Sequence, residues 1–86
     1  MDISVELTLT PLKDDYEPII KDFIKSLRKS EFKIIETPLS TQVYGDFKDL
    51  MSFLNDSIYN TFLNSESIIM NIKIIKSDRS NYVPNF

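Results

Sequence analysis

Apolar and polar residues alternate strictly from Ile3 to Thr10, with Ile3, Val5, Leu7 and Leu9 on one side and Ser4, Glu6, Thr8 and Thr10 on the other. A period of two predicts a strand with one apolar face, ended here by Pro11. Lys13-Asp14-Asp15 then reads as a polar turn whose aspartates suit a helix N-cap, and Pro18 fits a first helical turn, where its missing N–H is not needed. Tyr16, Ile19, Ile20, Phe23, Ile24 and Leu27 recur at spacings of three and four, which predicts an amphipathic helix closed by Arg28 and Lys29 at its negative dipole end. Phe32 to Glu36 and Thr41 to Tyr44 read as two further strands joined by the Thr37-Pro38-Leu39-Ser40 loop, with Gly45-Asp46 breaking the second. Phe47, Leu50, Met51, Leu54, Ile58 and Phe62 predict a second helix over 47–63, and Ile68 to Ile75 a fourth strand.

Strand, helix, strand, strand, helix, strand in so short a chain is the split βαβ pattern. It predicts an α+β, ferredoxin-like βαββαβ sandwich with an antiparallel sheet ordered 4-1-3-2 and both helices on one face. The fourth strand carries an anomaly. Its second face, Ile69, Asn71, Lys73 and Ile75, is half apolar where a solvated sheet face should be polar, so another subunit is expected to cover it. Glu6 and Lys73 are expected to form a cross-strand ion pair on that face. The aperiodic tail, 77–86, ends Tyr82-Val83-Pro84-Asn85-Phe86 and is expected to fray or to dock on a neighbour.

Composition narrows the chemistry. The 86 residues allow one domain, 1–86, with a thin core that association would complete. There is no cysteine and no histidine, which excludes thiolate nucleophiles, histidine bases and Cys/His zinc sites. A net charge of −3 argues against nucleic acid, which needs clustered Lys and Arg. The apolar runs fall far below the roughly 20 residues that span a bilayer, and Met1-Asp2-Ile3-Ser4 opens no export segment, so membrane insertion is not expected and the location expected is cytoplasmic.

Three stretches then stand out: Ser4-Val5-Glu6-Leu7-Thr8-Leu9-Thr10-Pro11-Leu12, Pro38-Leu39-Ser40-Thr41-Gln42-Val43-Tyr44-Gly45-Asp46, and Ile69-Met70-Asn71-Ile72-Lys73-Ile74. Together they resemble the YkoF-like thiamine-binding family over about Ile3 to Arg79. The resemblance implies a small ferredoxin-like domain, found as homo-oligomers or tandem copies, that holds thiamine or its hydroxymethylpyrimidine half without transforming it. It carries the family's ligand contacts onto Leu9, through main-chain groups, and onto the hydroxyl of Thr41. The chain departs from the family at Leu39-Ser40-Thr41, where many members have Met-Gly-Thr, and at Ser67-Ile68, where many have Arg-Val.

A flat aminopyrimidine needs an apolar slot and a few fixed hydrogen-bond groups, which strand ends can supply. Ser40, Tyr16, Tyr44 and Asn71 are secondary candidates: Tyr16, or Tyr44 with Phe47, as an aromatic wall, Ser40 beside the pocket, and Asn71 as a ligand or interface group. The function expected is non-enzymatic binding of thiamine or hydroxymethylpyrimidine, with no cofactor, no metal and no catalytic residue. The assembly expected is a homo-oligomer, a tetramer before a dimer. An oligomeric interaction or sensor module for another small metabolite is the alternative, favoured by the departures at Ser40 and Ser67. An acylphosphatase-like enzyme is disfavoured because Leu12-Lys13-Asp14-Asp15 is acidic where a phosphate loop would be glycine-rich, and Gly45 is the chain's single glycine.

Overall fold

The computed structural model describes residues 1–12 and 17–86; Lys13, Asp14, Asp15 and Tyr16, with the cap and aromatic roles expected of them, lie outside the described residues. Six elements follow in the expected order: β1 (Asp2–Pro11), α1 (Glu17–Arg28), β2 (Lys33–Glu36), β3 (Thr41–Asp46), α2 (Phe47–Leu63) and β4 (Ile68–Ile75). The sheet is antiparallel throughout, in the order β2-β3-β1-β4, with β1 and β3 central. The ferredoxin-like sandwich is therefore the fold of this chain.

The core lies on one face of the sheet. Ile3, Val5, Leu7 and Val43 point from β1 and β3 toward Phe23 and Leu27 of α1 and Leu50 and Leu54 of α2, all of them buried. Each such side chain contributes about 1.5–3 kcal/mol, so eight of them make the thin core expected of this length. α1 packs on α2 and against β1, while α2 also packs against β3. The helix-side residues of β4 receive less cover: Ile72 and Ile74, expected in the core, are 43% and 45% exposed at the sheet edge.

Two boundaries differ from the sequence expectation for physical reasons. Pro11 continues β1, paired with Ile68; proline's missing N–H costs nothing there because β3, the strand on its other side, has already ended opposite Leu7. Gly45 also stays within its strand, opposite Ile3. A Cβ at that position would lie 2.5 Å from Cδ1 of Phe32, so glycine makes room for an aromatic ring that leans on Phe53 with centroids 5.4 Å apart. The start of α2 falls where its apolar spacing predicts: Asp46 caps the helix, accepting from the Asp49 N–H and from the terminal ammonium at 3.1 Å.

The other face of the sheet is crossed by the chain's own tail. The Ser4 hydroxyl donates to the Ser77 carbonyl at 2.7 Å and accepts the Arg79 N–H at 2.8 Å. On the far side, Lys33 Nζ donates to the Ser80 carbonyl and to Asn81 Oδ1, both at 3.3 Å. The tail thus runs from β4 over β1 toward β2, which neither fraying nor docking on a neighbour anticipated. Beyond it Val83 and Phe86 are exposed.

Candidate ligand-binding site

Leu9 and Thr41 meet where β3 runs out. β3 begins with Thr41 opposite Leu7, so the stretch of β1 from Thr8 to Pro11 pairs only with β4. Two hydrogen bonds give the direction of the main-chain groups along β1. The Leu12 N–H donates to the Ser67 carbonyl on the β4 side, and the Phe47 N–H donates to the Met1 carbonyl on the β3 side. Because ladder groups alternate along a strand, even-numbered residues of β1 bond toward β4 and odd-numbered ones toward β3. The N–H and C=O of Leu9 therefore point into the place β3 has vacated, and among the described residues no main-chain bond engages them.

Thr41 is the diagonal neighbour of Leu9 across this ladder, a relation that puts side chains about 7–8 Å apart. Both side chains face the helices; Leu9 leans on the core, and Thr41 is 9% exposed. Among the described residues nothing bonds the Thr41 hydroxyl, and no fully buried polar side-chain atom is left unpaired. The arrangement offers one donor and one acceptor from the Leu9 main chain and a hydroxyl from Thr41. Those are groups that can grip the edge of a flat heterocycle.

The remaining candidates are not gathered there. Ser40, Tyr44 and Asn71 belong with the opposite face of the sheet, and Tyr16 lies outside the described residues. Ser40 Oγ donates to Glu6 Oε2 at 3.0 Å. Asn71 is exposed and opposite Thr8. Tyr44 is buried, and its hydroxyl donates to Gln42 Oε1 at 2.7 Å. Burial first, then the nearby carboxylates of Asp78 and Glu6, pushes the Tyr44 phenol above its ordinary value, so it stays protonated at neutral pH.

A cavity of about 450 Å³ opens on this second face, lined by Glu6, Gln42, Tyr44 and Lys73 from the sheet and by Arg79 and Tyr82 from the tail. Glu6 and Lys73 are opposite each other, as expected, but the expected ion pair is not formed: among the described residues Glu6 takes the Ser40 hydroxyl and Lys73 has no carboxylate at ion-pair distance. Arg79 and Tyr82 were missed from the sequence because the tail has no period to place it against a face. A smaller groove of about 380 Å³ runs between α1 and α2 past Asp22, Ser57 and Asn60. Among the described residues no cluster of carboxylates suited to a metal ion occurs, and no helix is long and apolar enough to cross a membrane.

Residues 2–77 match the model of the YKOF-related family. Among solved structures, a Streptococcus pneumoniae protein superposes with a TM-score of 0.83 at 24% identity, over 94% of this chain and 92% of that one. A Thermotoga maritima protein assigned provisionally to thiamine biosynthesis or salvage superposes with a TM-score of 0.81 at 16% identity, over 90% of this chain and 85% of that one. A hypothetical protein of Methanocaldococcus jannascii gives 0.74 at 15% identity, over 90% and 81%. At these identities the likeness establishes a shared fold. No curated protein matches the sequence.

Proposed function

The chain belongs to the YKOF-related family, and from that premise we propose that it is a cytoplasmic, non-enzymatic binder of thiamine or of its hydroxymethylpyrimidine half. The observation that carries this reading is that, among the described residues, neither the main chain of Leu9 nor the hydroxyl of its diagonal neighbour Thr41 has a hydrogen-bond partner. An aminopyrimidine has a ring nitrogen that accepts and an exocyclic amine that donates, and the N–H and C=O of one extended residue complement that pair. The provisional link of the Thermotoga neighbour to thiamine supports the choice of ligand. The absence of histidine and cysteine from the sequence is consistent with holding a metabolite rather than converting it.

Titration calorimetry with thiamine and with hydroxymethylpyrimidine tests the reading. Binding of at least one is expected, and no heat together with no thermal shift at millimolar ligand would sink it. Thr41→Val keeps the branched shape and removes the hydroxyl. It is expected to fold normally and to bind about fivefold more weakly, the loss of one neutral hydrogen bond. Affinity equal to the parent's would remove Thr41 from the site.

A second reading, a sensor or interaction module for another small metabolite, is favoured by one observation: Ser40, which departs from the family pattern, gives its hydroxyl to Glu6 on the opposite face. A co-purifying molecule identified by mass spectrometry as neither thiamine nor a pyrimidine would favour it.

A further inference from the structure

We propose that the cavity between the outer face of the sheet and the C-terminal tail is a second binding site, taking a small carboxylate with a flat apolar body. Its floor is two adjacent cross-strand rows, Tyr44-Ser4-Ile75 and Gln42-Glu6-Lys73. Its roof is the tail, held by the paired hydrogen bonds of Ser4 to Ser77 and Arg79. The family match ends at residue 77, so both tail residues that line the cavity, Arg79 and Tyr82, lie beyond it. Neither Leu9 nor Thr41 lines this cavity, which makes it independent of the site proposed above.

The class of ligand follows from charge and shape. Lys73 and Arg79 against the carboxylate of Glu6 leave the cavity with one net positive charge, in a chain whose formal charge is −3. Asp78 flanks Tyr44, but it accepts the Ser80 N–H at 2.9 Å and is offset by Lys33. Among the described residues the guanidinium of Arg79 engages only Ser77 Oγ, through Nε at 2.9 Å, which leaves its two terminal nitrogens for a carboxylate fork. One net charge suits a monoanion better than a doubly charged phosphate. The rings of Tyr44 and Tyr82 with Ile75 supply apolar walls, and about 450 Å³ is the volume of a small-molecule pocket.

Benzoate is the probe, with inorganic phosphate as the competing anion, titrated into the full chain at low ionic strength and followed residue by residue by NMR. Benzoate is expected to shift Ser4, Tyr44, Lys73, Arg79 and Tyr82, and phosphate to shift them less. Arg79→Gln, at an exposed position, is expected to retain the fold and weaken benzoate about tenfold. Tyr82→Ala is expected to weaken it as well, and Thr41→Val to leave it unchanged. Shifts centred on Leu9 and Thr41, an unchanged affinity in the Arg79→Gln protein, or no response at millimolar benzoate would each overturn the proposal. A response to phosphate equal to that for benzoate would overturn the assignment to a carboxylate.

Discussion

Gly45 shows how one residue can join sheet and helix layers. Its backbone is ordinary extended strand, with no positive φ, so conformational freedom is not why glycine stands there. Space is the reason: the Phe32 ring occupies the volume a side chain would take, and Leu50 closes the site from α2. Gly45→Ala forces the ring away from Phe53 and is expected to destabilise the fold by about 1–3 kcal/mol, seen as a lower urea midpoint at unchanged slope. A midpoint equal to the parent's would mean that the ring moves at no cost. Thr41 is the other residue whose setting matters, since it is both the first residue of β3 and the diagonal neighbour of Leu9, on the same face of the sheet.

At the scale of elements, the tail and the α2 cap depend on single polar side chains. Ser4 is buried, and its hydroxyl makes both of the bonds that seat Ser77 and Arg79 on β1. Ser4→Ala is expected to release the tail without unfolding the sandwich, lost protection of the Arg79 N–H against hydrogen exchange being the readout; retained protection would mean that Lys33 alone holds it. Asp46 joins the chain start to α2. Its hydrogen bond from the terminal ammonium, then the Asp49 N–H, hold its carboxyl below the usual value, and the guanidinium of Arg28 does the same for Glu36 across the bidentate pair at 2.7 and 2.8 Å. Carboxyls lowered on folding bind protons more weakly in the native state, so their stabilisation is present above the ordinary carboxylate pKa near 4 and is lost as pH falls through the lower native values. Thermal melts should therefore show stability falling below about pH 4, and the fall should be shallower in Asp46→Asn. An identical acid profile in that variant would remove Asp46 from the account.

For the whole molecule, the uneven cover of β4 stands out. Ile69 and Ile75 on the outer face and Ile72 and Ile74 on the helix side are each 43–45% exposed, on a strand that is also the sheet edge. An exposed edge with apolar residues on both sides is a surface that proteins usually pair or cover. The tail lies over the end of the outer face near Ser4 and leaves the end near Ile69, Asn71 and Thr8 open to a second copy. We therefore expect a dimer or tetramer by light scattering, and Ile69→Lys to shift it toward monomer. A folded monomer in the parent protein would show that the exposed isoleucines need no partner.

Most of the fold could be read along the chain. Local periodicity carries strands and helices, which is why α2 and β4 begin and end where their apolar spacing predicts, and why element order alone implied the strand order. Leu9 and Thr41 were reached through resemblance, whereas the fact that β3 leaves the main chain of Leu9 unpaired depends on where β3 stops, a property of pairing between strands. Ser40 and Tyr44 looked like companions of Leu9 and Thr41 until the pleat put them on the other side of the sheet, where the alternation of β4 had already placed Asn71. The tail was illegible because it has no period: its course is set by Ser4 and Lys33, residues 73 and 47 positions away. Patterning along the chain specifies which residues face inward, because that follows from backbone geometry and water. Which distant polar groups meet, and so which cavities exist, depends on the register and packing of the assembled layers.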